Sequence, residues 1–186
     1  MRIVAEKGYG PTTVTDLTAG AGISRTTFYE LFADKEACFL AAYDSAVDAM
    51  VRRITAAYEA EERWPDRARA GLAALLEALA ADPAQARLAL IDVAAAGPAA
   101  QRRYRAAVQR LTPFFDEGRD FAPGGRGLPA NTSRMAAGAV VGLISDELVS
   151  GDADQLSGLL SDLLFATLVA YLGPDAAARE VGEEAR

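Results

Sequence analysis

Residues 12–37 decide the fold, and they read TTVTDLTAGAGISRTTFYELFADKEA. Thr13 is suited to cap a helix that begins at Val14, and Ser24 is suited to cap a second helix. Gly22 falls where the chain must turn between them, because glycine adopts a left-handed backbone at little cost. Two short capped helices joined by a tight turn form a helix-turn-helix, in which the second helix enters the major groove of DNA.

The composition favours an all-α fold. Of the 186 residues, 51% are hydrophobic, which is enough to bury a substantial core. Alanine and leucine dominate and β-branched runs are scarce. We expect about nine helices, with a three-helix domain at the amino terminus and a larger helical domain after it.

Caps, prolines and apolar periodicity place these helices along the chain. The first, residues 1–6, resembles the end of a longer helix, so we expect it to be truncated. The others are expected at residues 14–21, 25–31, 35–58, 65–81, 84–95, 98–120 (kinked near Pro113), 131–149 and 153–172. Residues 122–133, APGGRGLPANTS, predict a flexible connection, and the charged tail after residue 172 predicts fraying.

Several classes of function are disfavoured by composition. The chain has no histidine and one cysteine, so the common Ser-His-Asp, Cys-His and imidazole-metal sites are excluded. We therefore expect no enzyme, no catalytic residue, no metal site and no cofactor. The longest apolar runs are too short to cross a bilayer, and we find no signal peptide. The expected location is cytoplasmic, with no membrane partner.

The net charge of −7 is unusual for a DNA-binding protein. Residues 1–53 carry seven acidic and six basic side chains, so the amino-terminal region has no excess of positive charge. Contacts to DNA must therefore come from a few well-placed groups and from helix amino termini. High affinity would require two such units acting together.

The pattern TTV..L...AGIS..TFY..F.DKEA, within residues 12–39, resembles the amino-terminal signature of the TetR (tetracycline-repressor-like) family of bacterial transcriptional regulators. The resemblance implies a helix-turn-helix DNA-binding domain at residues 1–45 and a ligand-binding and dimerisation domain at residues 46–186. The remainder of the chain agrees with the family in architecture only.

The resemblance also implies contacts with DNA. Thr13 would offer its hydroxyl and backbone amide to a phosphate. The start of the recognition helix would face the base edges with Arg25, Thr26 and Thr27, and Arg25 is the best candidate for a guanine. Phosphates would be contacted by Tyr29 through its hydroxyl and by Lys35. Glu30 departs from the family, because a carboxylate repels phosphate.

The last two expected helices carry signs of a dimer surface. An apolar stripe on the last helix comprises Leu156, Leu160, Leu163, Leu164, Thr167, Leu168 and Tyr171. In the preceding helix, Gly138 and Gly142 would let another helix approach closely. The resemblance implies that these helices form a four-helix bundle between two subunits. The alternative is that the stripe is buried within one subunit.

The resemblance further implies a ligand cavity among the middle helices. The candidate lining residues are Trp64, Leu76, Leu88, Ile91, Asp92, Tyr104, Met135 and Val141, with Asp92 as a possible polar anchor. Each could equally belong to the core or the surface, because pockets are mostly apolar. The default effector is an apolar or aromatic small molecule.

These patterns together predict a homodimeric transcriptional regulator, more specifically a repressor. Its partners would be a pseudo-palindromic double-stranded DNA operator and a small apolar effector that releases it from that operator. The two recognition helices would lie about 34–36 Å apart, one turn of DNA. The alternative is a dimeric small-molecule-binding or protein-interaction module that has lost DNA binding.

Overall fold

A computed structural model describes residues 1–150 and 153–182 and confirms the all-α fold. No β-strand occurs in these two ranges. The helices are α1 (Arg2–Lys7), α2 (Val14–Ala21), α3 (Arg25–Leu31), α4 (Lys35–Glu59), α5 (Trp64–Ala81), α6 (Pro83–Leu90), α7 (Pro98–Gln109), α8 (Thr112–Asp116), α9 (Gly118–Phe121), α10 (Thr132–Ser150), α11 (Leu160–Leu172) and α12 (Pro174–Gly182). Among the described helices, none has both the length and the apolar character needed to cross a bilayer.

Four helical segments differ from the expectation. The helix expected at 153–172 begins as the 3₁₀-helix Ala153–Leu159 and becomes α11 only at Leu160. The helix expected at 98–120 is divided into α7, α8 and α9, with Pro113 in the first turn of α8. The helix expected at 84–95 ends at Leu90 and continues as the 3₁₀-helix Asp92–Ala96. The tail forms α12 rather than fraying at once, and residues 183–186 lie outside the described part.

The connection expected to be flexible is held by Arg119. Its guanidinium donates to the carbonyl oxygens of Leu128 at 3.0 Å, Pro129 at 2.7 Å and Ala130 at 3.3 Å. It also pairs with the Asp116 carboxylate at 3.3 Å. The half-buried Arg119 thus gives this glycine-rich segment hydrogen bonds in addition to those that the segment makes within itself.

The apolar side chains form two clusters. The larger one fills the space between α5, α8, α10 and α11. The second, which we call the junction cluster, joins α1 and α4 to α6, the following 3₁₀-helix and α7. Its buried members are Val4, Phe39, Tyr43, Leu88, Val93, Ala96 and Ala100. The helix-turn-helix is therefore packed directly onto the larger domain, and α4 runs through the boundary expected at residue 45 without interruption.

A tight aromatic contact closes the far end of the larger cluster. The Trp64 ring packs edge-on against the Tyr171 ring at a centroid distance of 5.0 Å, and its Nε1 donates to the Phe114 carbonyl at 3.0 Å. Gly118 lies directly on this pair. A Cβ at that position would stand 2.6 Å from Trp64 and 2.8 Å from Tyr171.

We therefore predict that Gly118→Ala destabilises the fold. The Trp64 ring is held by its hydrogen bond and cannot move aside, so the added methyl group should lower the free energy of unfolding by ~1–3 kcal/mol. Chemical denaturation measures the change. Gly127→Ala is the matched control, because a Cβ there meets no atom within 4 Å. Equal stability of the two variants would contradict the prediction.

Candidate DNA-binding interface and effector cavity

The local geometry of the helix-turn-helix agrees with its sequence signals. Gly22 ends α2 in a left-handed conformation, with φ 66° and ψ 29°. Ser24 accepts a hydrogen bond from the Thr27 amide at 3.0 Å and so caps α3. Phe28 is 1% exposed and anchors α3 to the domain. These contacts fix which face of α3 is turned to solvent.

Thr13 caps α2 through a reciprocal pair of contacts with Asp16. The Thr13 amide and hydroxyl both donate to the Asp16 carboxylate, at 2.7 Å and 2.6 Å, and the Asp16 amide donates back to the hydroxyl. Lys7 reaches the same carboxylate at 2.7 Å. The Lys7 hydrogen bond, with those from Thr13, lowers the pKa of Asp16 well below its usual range. The phosphate contact expected of Thr13 is thus corrected: both of its donors are already engaged.

Lys35 also has a different set of partners from the one expected. Its ammonium donates to three backbone carbonyls, those of Tyr9 at 2.8 Å, Gly10 at 3.2 Å and Thr12 at 2.9 Å. It lies 4.3 Å from the centre of the Tyr9 ring. An ammonium has three hydrogens, so none is left for a phosphate. Lys35 is a clamp that ties the α1–α2 loop to the start of α4.

The exposed face of α3 carries Arg25, Thr26, Tyr29 and Glu30. Tyr29 is 51% exposed, with its ring edge against Phe28. Thr27 is half-buried, and its hydroxyl lies 3.0 Å from the Ser24 hydroxyl, so it belongs to the cap. Within residues 1–42, all of which the structure describes, Arg25 is the only basic side chain with no intramolecular partner. Arg25 and Tyr29, four residues apart, share one side of the helix.

An apolar cavity of about 140 Å³ lies between α4, α5, α6, α7 and α10. Its wall includes Met50, Leu75, Leu79, Val108 and Ile144. Burial raises the pKa of two tyrosines that also line it, Tyr43 and Tyr104, so both remain neutral hydroxyls at physiological pH. The cavity is suited to an apolar group, with few polar atoms to orient it.

Of the residues expected to line a cavity, Tyr104 and Val141 do so. Ile91 lines a neighbouring groove described below. Trp64 and Leu76 belong to the larger cluster and Leu88 to the junction cluster, so these three are corrected to core residues. Two are corrected to the surface: Asp92 pairs with Arg87 at 3.7 Å, and Met135 is 61% exposed.

A groove of about 580 Å³ lies beside the cavity, between α6, α7 and α10. Leu90, Tyr104, Val108 and Val141 line both spaces, so the two adjoin each other. The polar part of the groove wall comprises Arg105, Gln109, Thr112, Arg134, Ser145 and Asp146. No sequence pattern predicts this groove, because its residues come from separate helices with no shared periodicity.

The apolar stripe of the last helix faces the interior of the chain. Leu156, Leu163, Leu164 and Leu168 are fully buried, and Thr167 and Tyr171 nearly so. Within this chain the six are core residues, with at most 6% of a residue's surface exposed, so they offer little area to a partner. Leu160 is half-buried at the edge of the core. The alternative of burial within one subunit therefore holds for most of the stripe.

The outward face of α10 is exposed to solvent. It presents Met135, Gly138, Ala139, Gly142 and Leu143 at spacings of three and four residues, and all five are exposed. A Cβ at Gly138 or Gly142 would meet no atom within 4 Å. Val149 extends this surface along the same helix, with 59% exposure. We call these six residues the α10 face.

A capped helix-turn-helix with an exposed second helix is the arrangement of a DNA-binding domain. Comparison with protein families makes the likeness specific: residues 1–42 match the model described as bacterial regulatory proteins of the tetR family. The match confirms the resemblance seen in the sequence of the amino-terminal domain. No curated protein matches the chain.

Solved structures with the same fold cover nearly the whole chain. The fatty acid degradation regulator FadR from Bacillus halodurans superposes with a TM-score of 0.78 at 16% identity, covering 90% of this chain and 89% of its own. FadR from Bacillus subtilis, in complex with stearoyl-CoA, gives 0.73 at 17%, covering 92% and 94%. A tetR-family regulatory protein from Rhodococcus RHA1 gives 0.70 at 21%, covering 92% of each chain. Identities this low establish the shared fold.

The position of Lys35 yields a prediction that separates a clamp from a phosphate contact. Lys35→Met keeps most of the stem and removes the charge, leaving three carbonyls without their donor. The melting temperature should fall, with a loss of ~1–3 kcal/mol of stability. The slope of log affinity for DNA against log salt concentration should stay unchanged. A decrease of that slope by about one unit would instead show a lost phosphate contact.

Proposed function

We propose that this protein is a homodimeric, ligand-responsive regulator that binds a pseudo-palindromic operator through α3. The observation that carries the proposal is the free face of α3, where Arg25 and Tyr29 stand exposed above a capped and packed helix-turn-helix. The family match over residues 1–42 supports it. The protein would act in the cytoplasm, where the DNA lies.

The proposed base contacts come from Arg25 and Thr26, and the proposed phosphate contact from Tyr29. A guanidinium with no internal partner is available for the two acceptors that guanine presents in the major groove. Glu30 lies on the same exposed face and would exclude phosphate from its own position. It would instead accept a hydrogen bond from a cytosine amino group. An acidic protein has little non-specific attraction to DNA, so it must bind through a few selective contacts.

The second subunit is proposed to dock on the α10 face. This surface is apolar and contains two open glycines, so a second copy of α10 could approach it closely. It replaces the buried stripe as the proposed interface, while Gly138 and Gly142 are retained from the original prediction. Two-fold symmetry would then set two α3 helices about one DNA turn apart, ~34–36 Å.

The effector is proposed to occupy the apolar cavity and to release the protein from DNA, as a repressor requires. FadR from Bacillus subtilis binds stearoyl-CoA in its structure, which makes an acyl chain a natural occupant of this cavity. Helix α6 lies between the cavity and the amino-terminal helix-turn-helix domain. Ala86 and Ala89 line the cavity, whereas Leu88 packs in the junction cluster against α1 and α4.

Occupancy of the cavity would therefore shift α6 and, through it, α1 and α4. Tyr43 gives a second route, because it lines the cavity and belongs to the junction cluster. A ligand that prefers the spacing unsuited to DNA lowers operator affinity, and DNA lowers ligand affinity by the same factor. Selection of bound sequences from random DNA, with and without acyl compounds, tests the whole scheme. Failure to retain any sequence would favour the binding module without DNA affinity.

Arg25→Ala should weaken specific operator binding by ~1–3 kcal/mol, because one base contact is lost. Fluorescence anisotropy at fixed salt concentration measures the effect. Arg52→Ala is the control: it removes the same charge from an exposed position of α4, seventeen residues beyond Lys35. Equal losses in both variants would show that net charge, rather than a base contact, is responsible.

Leu143→Arg should convert the dimer to a monomer while leaving the helical content intact. The substitution places a charge in the centre of the α10 face, where it would be desolvated by a second subunit. Analytical ultracentrifugation measures the change in mass, and circular dichroism checks the fold. Gln101→Arg, on the exposed side of α7, serves as the control. A dimer that survives Leu143→Arg would rule out this interface.

A further inference from the structure

The cavity is too small to hold a whole effector. At about 140 Å³ it is close to the ~150 Å³ of a cavity that admits benzene. Binding sites for small molecules usually measure roughly 300–1,000 Å³. A ligand with an acyl chain must therefore continue beyond the cavity. The adjoining groove, at about 580 Å³, is the space into which it would extend.

The groove differs from the cavity in the charge of its wall. Two arginines, Arg105 of α7 and Arg134 of α10, stand on opposite sides of it, together with one carboxylate, Asp146. The wall thus carries more positive than negative charge, in a protein whose net charge is −7. The cavity wall, in contrast, has Asp82 as its charged residue, and that carboxylate is already engaged as the cap of α6.

The two groove arginines are also unusual in their partners. On α7, Arg103 pairs with Asp44 at 2.9 Å and Arg110 pairs with Asp48 at 2.5 Å, so α4 neutralises both. Arg105 has no hydrogen bond or ion pair with any described residue. Arg134 donates to the Asn131 side chain at 3.2 Å, a neutral acceptor that leaves most of its donors unused.

We propose that the groove lined by Arg105 and Arg134 binds the anionic head of an amphiphilic effector whose apolar chain fills the adjoining cavity. This inference rests on the effector role proposed above and adds the class of ligand: a long-chain anion. The ring of Tyr104 lies at the boundary, lining both spaces, where chain and head would meet. A fatty acid presents a carboxylate and an acyl-CoA presents phosphates. Both therefore offer anionic oxygens to a guanidinium.

The test uses three probes with the same chain: dodecanol, laurate and lauroyl-CoA. Calorimetry on the full-length protein should show that both anions bind more tightly than the neutral alcohol. If lauroyl-CoA binds more tightly than laurate, the groove holds the nucleotide phosphates. Equal affinities of the two anions show that the carboxylate of laurate is as effective a head group as the phosphates of CoA.

The double variant Arg105→Gln, Arg134→Gln should weaken binding of the anions by about three- to tenfold, since both contacts are exposed to solvent. Its affinity for dodecanol should change by less than about twofold. Arg102→Gln is the control, because Arg102 is exposed on the same helix but does not line the groove. Gly138, Gly142 and Val149 line the groove and also belong to the α10 face. Analytical ultracentrifugation of each variant, with and without laurate, therefore checks that the dimer and the bound head group are compatible.

Equal binding of dodecanol and the anions by the wild-type protein would overturn the inference. So would an unchanged anion affinity in the double variant. Release of operator DNA by dodecanol alone would leave the regulator intact while removing the head-group site. The opposite outcome is that anions bind through the two arginines but leave operator affinity unchanged. That result would support the head-group site and contradict the effector role.

Discussion

The packing of α1 and α4 against α6 and α7 in the junction cluster is the constraint on which the rest of the molecule depends. Phe39 and Tyr43 of α4 are 3% and 2% exposed, and Leu88 of α6 is 1% exposed in the same cluster. Close-packed side chains transmit displacement, because the interior has little free volume to absorb it. The recognition helix reaches the rest of the molecule through the amino-terminal domain that this cluster anchors. Any signal between cavity and DNA must therefore pass here.

The helix-turn-helix could be predicted because its determinants are local. The Ser24 cap acts on an amide three residues away, and Gly22 sets its own backbone. The roles of Thr13 and Lys35 could not be predicted in the same way. Residues of the right type at the right spacing were recognised, but their hydrogen bonds go to Asp16 and to the Tyr9–Thr12 loop. Spacing locates a donor, whereas only the folded chain shows whether the donor is already engaged.

The cavity and the dimer surface were predicted less well for a common reason: apolar residues serve core, pocket and interface alike. Leu76 and Leu75 are neighbours on α5, yet the first is core and the second lines the cavity. Helix α11 is apolar around most of its circumference, so its sequence pattern does not indicate which side faces the core and which side is exposed. The two glycines of α10 were more informative about a possible interface. They are exposed, so packing within the core does not explain the absence of a side chain.

The charge distribution of the amino-terminal domain leaves few basic side chains free to contact DNA. Lys7 is held by Asp16, Lys35 by three carbonyls, and Arg2 lies near Glu6 at 3.9 Å. The amino-terminal domain therefore uses most of its positive charge for its own folding. Non-specific attraction to DNA is correspondingly weak, because it scales with the number of phosphates neutralised. Affinity must then come from base contacts and from two subunits acting together. In the proposed dimer, binding would then depend strongly on the spacing of the two recognition helices, and a small shift of α6 would be enough to lower operator affinity.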